Sequence, residues 1–317
     1  MALLLDEQRV TDLLTMEMAI VAVEEALKQH GLGAAINNPR TRVRLPTGQL
    51  HMMGAALPTR GVIGYKAYTA FRGRARFHVM LYSSETGELL ALLQADRLGQ
   101  MRTGAASGVA TKYMARADAR RVGIFGTGWQ ARSQLEAVCA VRQIQAVKAF
   151  GRDATRRQTF CADMSQQLGI PVEPADTPEA AVKGMDVVIT ATSAREPLFD
   201  GNWLEPGAHV NAIGSNALIR REVDEATVRR SALIVVDSKE QARFECGDLL
   251  GPLERGLLHW EQVRELGDVV AGYIPGRRQA SDITLFESHG LALWDLAAGM
   301  AVYDAAKTKG IGREVTL

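Results

Sequence analysis

Residues 121–153 have the sequence RVGIFGTGWQARSQLEAVCAVRQIQAVKAFGRD, in which two apolar segments flank a glycine-rich turn and a helical pattern. The segment RVGIFG predicts a buried strand, WQARSQLEAVCAV a helix and AVKAFG a second strand. Between the first strand and the helix, Gly126, Gly128 and Ala131 match the pattern G-x-G-x-x-G/A. The first glycine permits a tight turn, the second lets the backbone approach a pyrophosphate, and the small third residue lets the helix pack on the strand. The stretch therefore predicts a dinucleotide-binding β-α-β unit.

The end of the second predicted strand indicates which nicotinamide dinucleotide is bound. Units that bind NAD usually place an acidic residue there, about 20 residues after the glycines, on the ribose 2′-hydroxyl. Here Gly151 takes that position and Arg152 follows it. Arg156 and Arg157 lie one turn further on, and because arginine forks suit a 2′-phosphate, the sequence favours NADP(H). Asp153 keeps NAD(H) open, since it could reach the ribose or instead cap the next helix.

Strand and helix patterns keep alternating after this unit. The segments DVVITAT, HVNAIG and LIVVD predict further buried strands, and such alternation is typical of an α/β fold with a parallel, doubly wound sheet. In these sheets, ligands bind beyond the carboxyl ends of the strands. We therefore expect Thr192, Gly214 and Ser215 near the cofactor, because each follows one of these strands. Ordinary β-α turns also favour such residues, and that interpretation stays open.

The first third of the chain has a different pattern. Residues 15–30 predict a helix, and alternating segments between Arg40 and Tyr82, with GELLALLQ after them, predict about four to six strands of an antiparallel or mixed sheet. Residues 97–115 predict a helix rich in small residues. The polar segment 116–121 is the predicted domain boundary. Near the end, SHGLALWDLAAGMAVYDAAK predicts a last helix that packs back on this first region.

Composition and charge exclude several classes of protein. Lys and Arg number 37 and Asp and Glu 36, so the formal charge of +1 gives no support for binding nucleic acid. The cysteines Cys139, Cys161 and Cys246 lack CxxC spacing, so we expect no disulfide framework, no structural zinc site and no other metal. Residues 1–20 interleave charged and apolar residues, unlike a signal peptide or membrane span. We expect a cytoplasmic protein without nucleic-acid or membrane partners.

Four segments together resemble the ornithine cyclodeaminase/mu-crystallin family: RVGIFGTGWQA, MRTGAASGVATKY before it, HVNAIGSN after it, and LFESHGLALWD near the end. The resemblance covers nearly the whole chain. It implies a Rossmann dinucleotide-binding domain, residues 118–289, inserted into an α+β substrate-binding and dimerisation domain made of residues 1–117 and 290–317. It also implies a homodimer whose substrate-domain sheets close into a barrel, which would remove exposed strand edges.

The resemblance further implies that three cations hold the substrate's α-carboxylate next to the nicotinamide, and the matching residues are Arg42, Lys66 and Arg102. Arg42 alternates with Arg40 and Arg44, so the three would share one face of a strand. Lys66 interrupts an apolar strand, where a lysine needs a partner. Cations that converge on a planar anion can bind it with paired hydrogen bonds.

Other residues are assigned to the cofactor by the same resemblance. They are Trp129, Gln130, Thr192, Ser215, Arg220, Ser288 and His289. Arg74 and His78 lie on a strand expected to face the site, where either could contact a substrate side chain or a phosphate. Together with Arg76 they suggest an acidic or polar group on the substrate.

One position departs from the family pattern. Members that cyclise ornithine, and several that deaminate amino acids, carry an Asp that exchanges a proton with the substrate amine. Asn216 occupies that candidate catalytic position here. Asn cannot take or give a proton at neutral pH, which argues against cyclodeamination. Ketimine reductases resembling mu-crystallin also lack this Asp, so the resemblance favours imine reduction.

The sequence therefore predicts an NAD(P)H-dependent reductase of cyclic or linear α-imino acids, with Lys66 as the proton donor. Reductive amination of 2-oxo acids to amino acids is the related reaction. Two alternatives stay open: an amino-acid dehydrogenase or cyclodeaminase that uses NAD, and a non-catalytic NADP(H)-binding protein. The presence of all three predicted cations argues against the last of these.

Overall fold

The computed structural model describes residues 1–316, which form two compact units. The first unit contains Met1–Ala106 and the chain from Gly290 onward, and the second contains Ser107–His289. Each unit is built around its own β-sheet. Among the described residues, no helix is both long and apolar enough to cross a membrane.

The secondary-structure elements are numbered in chain order. The strands are β1 Ala2–Leu5, β2 Ile36–Asn37, β3 Thr41–Leu45, β4 Gly48–Leu57, β5 Val62–Phe71, β6 Arg74–Ser83, β7 Leu89–Gln94, β8 Arg121–Phe125, β9 Ala146–Phe150, β10 Val172–Pro174, β11 Val187–Thr190, β12 His209–Ala212, β13 Ser231–Val236, β14 Arg264–Glu265, β15 Ile283–Glu287 and β16 Arg313–Val315. The α-helices are α1 Glu7–Leu13, α2 Met16–Gly31, α3 Asp96–Met114, α4 Trp129–Val141, α5 Ala154–Leu168, α6 Glu225–Arg230, α7 Lys239–Glu245, α8 Gly247–Glu254, α9 Leu266–Val270 and α10 Ala292–Lys309.

The sheet of the second unit is parallel and doubly wound. Its strand order is β10-β9-β8-β11-β12-β15-β13-β14, and its described pairs are all parallel. The strand β8 comes first in the chain, β9 and β10 are added on one side of it, and β11 and β12 on the other. The direction of winding therefore reverses between β8 and β11, which is where such sheets bind ligands. The predicted α/β fold class is confirmed.

Hydrophobic residues bury both faces of this sheet. On β11, Val187 and Ile189 belong to one core cluster, whereas Val188, which points to the opposite face, belongs to another. The first cluster also contains Leu135 of α4 and Phe160 of α5. Because both faces are covered, the strands are continuous apolar runs, and this explains why the sequence pattern identified them.

The sheet of the first unit is mixed, with the order β16-β1-β7-β6-β5-β4-β2 and with β3 paired to β4. The strands β4, β5 and β6 are antiparallel neighbours, whereas β1 and β7 run parallel. Helix α10 covers one face, where its Gly299 lies against Val79 and Leu81 of β6. The opposite face carries exposed apolar side chains, including Val43 and Ile63.

Helix α3 begins in the first unit and ends in the second, because the units divide between Ala106 and Ser107. The sequence placed the boundary later, in the polar segment after this helix. The end of α3 already packs within the second unit: a Cβ added to Gly108 would lie 3.2 Å from the Cβ of Ala137 on α4. The small residues of this part of α3 therefore allow close helix packing.

Candidate active site

The turn between β8 and α4 requires glycine at its first position. Gly126 has φ +104°, a conformation that glycine adopts readily, and a Cβ there would lie 2.4 Å from the carbonyl oxygen of Ala191. Gly128 is the N-cap of α4 and has no side chain to cap it. The N–H groups of the first helical turn can therefore donate to a pyrophosphate, as the sequence predicts.

The first turn of α4 carries the other residues of the predicted glycine loop. Trp129 is 52% exposed and Gln130 is half-buried. Ala131 is fully buried and belongs to the core cluster between α4 and the sheet, so its small size permits the close packing that the pattern requires.

The loop after β9 carries the residues expected to distinguish NADP from NAD. Gly151 is tightly packed, since a Cβ there would lie 3.1 Å from Cγ2 of Thr127. Arg152 is exposed. Asp153 is the N-cap of α5 and accepts a 3.0 Å hydrogen bond from the backbone N of Arg156. Of the two roles open to Asp153, the structure therefore shows the helix cap.

Glu222 joins the loops that follow β11 and β12. Its buried carboxylate accepts hydrogen bonds from Oγ1 of Thr190 (2.8 Å), from both the backbone N and Oγ1 of Thr192 (2.6 Å each) and from the backbone N of Gly214 (2.7 Å). Burial raises the pKa of Glu222, and the hydrogen bonds from Thr192 and Thr190 oppose that rise. The predicted cofactor residues Thr192 and Gly214 are thus held in place by an acid that the sequence did not reveal.

In the loop that follows β12, hydrogen bonds connect Ser215 and Asn216 to neighbouring residues. The Ser215 hydroxyl is buried; it donates to the carbonyl oxygen of Arg220 over 3.1 Å and accepts from the backbone N of Gly247 over 3.3 Å. Arg220 in turn donates from Nη1 to Oδ1 of Asn216 over 3.0 Å. This arrangement fixes the Asn216 amide, which has no proton to exchange near neutral pH.

Asp237 holds the predicted cofactor residues Ser288 and His289. Its carboxylate accepts a 2.7 Å hydrogen bond from the backbone N of His289, and the Ser288 hydroxyl lies 3.4 Å away. The Nδ1 atom of His289 lies 3.3 Å from Oδ1 of Asp237. All three side chains are buried, so the imidazole is part of the protein interior of the second unit.

In the first unit, Lys66 of β5 and Arg102 of α3 meet at Asp295 of α10. The Nζ atom of Lys66 lies 2.8 Å and Nε of Arg102 3.0 Å from the same oxygen, Oδ1 of Asp295. The three side chains are 3%, 7% and 0% exposed. Two of the three predicted carboxylate-binding cations are therefore brought together around an acid that was not predicted.

This cluster has one more positive than negative group, and part of its hydrogen-bonding capacity is unused. Among the described residues, neither Nη1 of Arg102 nor Oδ2 of Asp295 has a hydrogen-bond partner. Burial lowers the pKa of Lys66 to about 8; Asp295 opposes that shift and Arg102 adds to it. A bound carboxylate would supply both a balancing charge and an acceptor for Arg102.

Two residues near the start of α10 shape the position of Arg102. Gly290 has φ +85°, and a Cβ there would lie 2.8 Å from Nη1 of Arg102, so only glycine leaves that donor space. The guanidinium carbon lies 5.6 Å from the ring centroid of Trp294, within cation–π range. The segment GLALWD thus leaves Nη1 of Arg102 open and places a ring and a carboxylate beside its guanidinium.

Arg42, the third predicted cation, lies two strands from Lys66 on the same face of the sheet. In the register it is opposite His51 of β4, which stacks on Tyr68 of β5 at 4.1 Å. Burial and, to a lesser degree, the charges of Arg42 and of its neighbours Arg40 and Arg44 lower the pKa of His51 to about 4. The charge of Arg40 also contributes to lowering the pKa of Lys66.

The register places Arg74, Arg76 and His78 of β6 away from this cluster. Lys66 is opposite Val79 in the β5–β6 ladder, and neighbouring residues of a strand point to opposite faces. The expectation that Arg74 and His78 face the cluster is therefore wrong. A one-residue difference in register decides the face, and the sequence pattern of this strand does not fix it.

Comparison with known proteins identifies the family. The model of the Ornithine cyclodeaminase/mu-crystallin family matches residues 2–310. The chain belongs to this family. It is 38% identical to the Delta(1)-pyrroline-2-carboxylate reductase of Bacillus cereus over 238 aligned residues. The aligned region covers 75% of this chain and 73% of that protein. The resemblance predicted from the sequence is therefore confirmed.

Two solved structures are similar to the whole chain. The Delta(1)-pyrroline-2-carboxylate reductase of Thermococcus litoralis, in complex with NADH and L-proline, has a TM-score of 0.94 at 36% identity and covers 99% of this chain and 100% of that chain. An archaeal alanine dehydrogenase dimer with bound NAD has a TM-score of 0.93 at 34% identity and covers 100% of this chain and 99% of that chain.

The acids Asp295, Glu222 and Asp237 were missed because their partners are distant in sequence. A signal existed for Asp295, since a single carboxylate in the apolar segment ALWDLAAGM requires a cationic or hydrogen-bonding partner. For Glu222 and Asp237 the sequence gives no comparable signal, because acids are common in the loops that follow strands.

Proposed function

We propose that this protein is an NAD(P)H-dependent reductase of α-imino acids, either cyclic or linear. The observation that carries the proposal is the buried cluster of Lys66, Arg102 and Asp295, which has a surplus positive charge and an open guanidinium donor. Such a site suits one carboxylate, and the glycine loop suits a dinucleotide. A similar structure, 36% identical, holds NADH and L-proline, the reduced form of a cyclic α-imino acid.

In this proposal the cluster binds and orients the substrate. Arg102 donates to the carboxylate from Nη1, while Asp295 keeps both cations in place. Bound NAD(P)H supplies a hydride to the carbon of the C=N bond, whose π electrons become the nitrogen lone pair. A protonated iminium needs no further proton, whereas a neutral imine takes one from Lys66, directly or through water.

The geometry around Asn216 supports reduction over cyclodeamination. An amide that accepts a hydrogen bond from Arg220 can position a polar group but cannot exchange a proton with a substrate amine. The similarity to alanine dehydrogenase favours one second candidate, the oxidation of an amino acid by NAD(P)⁺. That reaction is the same hydride transfer in reverse, followed by hydrolysis of the imine.

A cofactor-consumption assay tests the proposal. The purified protein is mixed with NADH or NADPH and with Δ1-pyrroline-2-carboxylate, its six-membered analogue, or 2-oxo acids plus ammonia or methylamine. We expect loss of absorbance of the reduced cofactor with at least one imine and formation of the corresponding amino acid. Activity only with amino acids and oxidised cofactor would favour the dehydrogenase, and no turnover of any pair would overturn both.

We further propose a preference for NADP(H), based on the loop after β9. The exposed guanidinium of Arg152 follows Gly151, where an acid would bind a ribose hydroxyl, and Asp153 is engaged as the cap of α5. An arginine at this place can bind a 2′-phosphate. The similar structures hold NADH or NAD, so the proposed preference distinguishes this chain from them.

The variant Arg152→Ala should lower kcat/KM with NADPH about 10- to 100-fold, because a charge-assisted hydrogen bond is worth about 1.5–3 kcal/mol. Activity with NADH should change little. Arg229→Ala is a control, since Arg229 is an exposed arginine of α6 to which no cofactor role is assigned. An unchanged NADPH/NADH ratio in Arg152→Ala would remove Arg152 from phosphate binding.

We also propose a homodimer formed through the sheet of the first unit. The face of β3, β4 and β5 opposite α10 exposes apolar side chains that would be covered by a second copy. A similar structure is an alanine dehydrogenase dimer. In this proposal the first unit binds the substrate and the partner, and the second unit, Ser107–His289, binds the dinucleotide.

A further inference from the structure

Cys246, Glu287 and His289 meet in the interior of the second unit. The thiol sulfur, a carboxylate oxygen and a ring nitrogen all lie within 4.8 Å of one another, and the three residues are buried. Cys246 lies between α7 and α8, Glu287 ends β15, and His289 follows two residues later. Three side chains that can each bind a metal ion are thus brought together by different elements of the fold.

Asp237 contacts the backbone N and the imidazole of His289 and so orients its ring, as a neighbouring carboxylate does for a metal-binding histidine. Its oxygens lie 2.7 Å from the backbone N and 3.3 Å from Nδ1 of His289. Metal-binding histidines usually donate their other ring N–H to such a carboxylate, which fixes the ring and its tautomer. With Nδ1 turned towards Asp237, a metal ion would be bound by Nε2.

Glu287 is a second and independent indication of a ligand. Its side chain is fully buried, and among the described residues neither carboxylate oxygen accepts an N–H or O–H hydrogen bond; the Cys246 thiol is its polar neighbour. A buried carboxylate is costly unless a proton or a cation compensates it. The buried carboxyl groups of Glu222 and Asp248 lie close by and add to this demand for positive charge.

We propose that Cys246, Glu287 and His289 bind one divalent metal ion, and that the ion is Zn²⁺. A thiolate, an imidazole and a carboxylate together form a donor set that zinc prefers, and three protein ligands leave a fourth position for water. The cysteine spacing gives no sign of this site, because the other two ligands are not cysteines. Binding would displace the thiol proton to solvent.

The ion would stabilise the loops assigned to the cofactor. The backbone N of Gly247, next to Cys246, donates to Oγ of Ser215 over 3.3 Å. Asp248 accepts hydrogen bonds from the backbone N of Glu222 (2.6 Å) and of Val223 (2.8 Å). A metal ion at Cys246 would therefore fix the segment that supports Ser215 and Glu222. Its role is to hold these loops in place, and the metal proposal does not depend on which reaction the protein catalyses.

Metal analysis of the purified full-length protein tests the proposal. We expect about one zinc ion per chain, bound again after chelator treatment and addition of Zn²⁺, with a higher Tm in the zinc-bound form. The variants Cys246→Ser and His289→Asn should lose this zinc, whereas Cys161→Ser, which removes another buried thiol, should keep it. Asp237→Asn should weaken zinc affinity about 10- to 100-fold.

Cobalt substitution gives a readout that does not depend on the folding of variants. If Co²⁺ replaces zinc in the wild-type protein, the thiolate ligand should produce a near-ultraviolet charge-transfer band that Cys161→Ser retains. Absence of that band, or of any metal uptake by the wild type, would overturn the proposal. Equal metal contents in folded Cys246→Ser and Cys161→Ser would overturn it too, because the metal would then lie elsewhere.

Discussion

Burial and neighbouring charges have opposing effects on the pKa of Lys66. It is 3% exposed and shares one oxygen of Asp295 with Arg102, so burial and the second cation disfavour its charged form while the carboxylate favours it. The resulting pKa of about 8 means that Lys66 is largely protonated at neutral pH and loses its charge a little above it. A titration in this range can be measured directly in the enzyme's pH profile.

We expect kcat/KM for imine reduction to fall by about tenfold per pH unit above pH 8, because it reports ionisations of the free enzyme. Deprotonated Lys66 can neither attract the carboxylate nor donate a proton. Below this pKa the lysine is charged and no such loss occurs. The measurement is kcat/KM between about pH 6 and pH 10 with saturating cofactor.

Lys66→Arg is the matched control for this profile. Arginine stays protonated throughout the range, so the variant should be less active at pH 7 but should lose the step near pH 8. If the same step persists in Lys66→Arg, the titrating group is the substrate or another residue, and the assignment to Lys66 is wrong.

At the scale of single elements, the arginines in β3 and just before it have different neighbours. Arg42 is opposite His51, and the charge of Arg40, just before the strand, acts on both His51 and Lys66. The Nε atom of Arg40 lies 3.3 Å from Sδ of Met53, the residue opposite Lys66 in the β4–β5 ladder. Geometry therefore favours Arg40 as the third cation of the carboxylate site.

We expect Arg40→Ala to lower kcat/KM for the imino acid about 10- to 100-fold, chiefly through KM, because it removes a charge-assisted contact worth about 1.5–3 kcal/mol. Arg42→Ala, on the same face two residues away, should have a smaller effect. Steady-state kinetics of the two variants, each checked for folding by circular dichroism, decide between them. A larger loss in Arg42→Ala would restore the assignment made from the sequence.

The elements that could be predicted are those with a strong local pattern. The strands of the second unit are buried on both faces, so their apolar runs stand out, and Gly126 is required by backbone conformation alone. Asp295 binds Lys66 and Arg102 from a helix about two hundred residues further along the chain, and no local pattern records such a contact. The faces of β6 depend on register, and the residue pattern of Arg74–Ser83 does not by itself show which face meets α10.

The domain boundary is a second feature that local sequence patterns do not locate. The polar segment 116–121 was a reasonable place for it, since linkers tend to be polar and exposed. The units instead divide inside α3, because small residues such as Gly108 let the end of that helix pack in the second unit. Sequence patterns identify helices well but do not show which core each turn of a helix joins.

At the scale of the whole molecule, one face of the sheet in the first unit exposes apolar side chains. Val43, Met52 and Ile63 are 53%, 39% and 48% exposed, and the register places all three on the face opposite α10. Single exposed apolar residues are ordinary, but several on one sheet face mark an interaction surface. A second copy of the same face would cover them symmetrically.

If the proposed dimer forms through this face, we expect the wild type to be a dimer at micromolar concentration and the double variant Met52→Lys/Ile63→Lys to be a monomer, because facing lysines would leave charge in an apolar interface. Light scattering coupled to size-exclusion chromatography gives the mass of each. Val21→Lys is the control, since Val21 is 68% exposed on α2, away from this face, and its variant should remain dimeric. A wild-type monomer, or a double variant that stays dimeric, would show that the sheet face is not the interface.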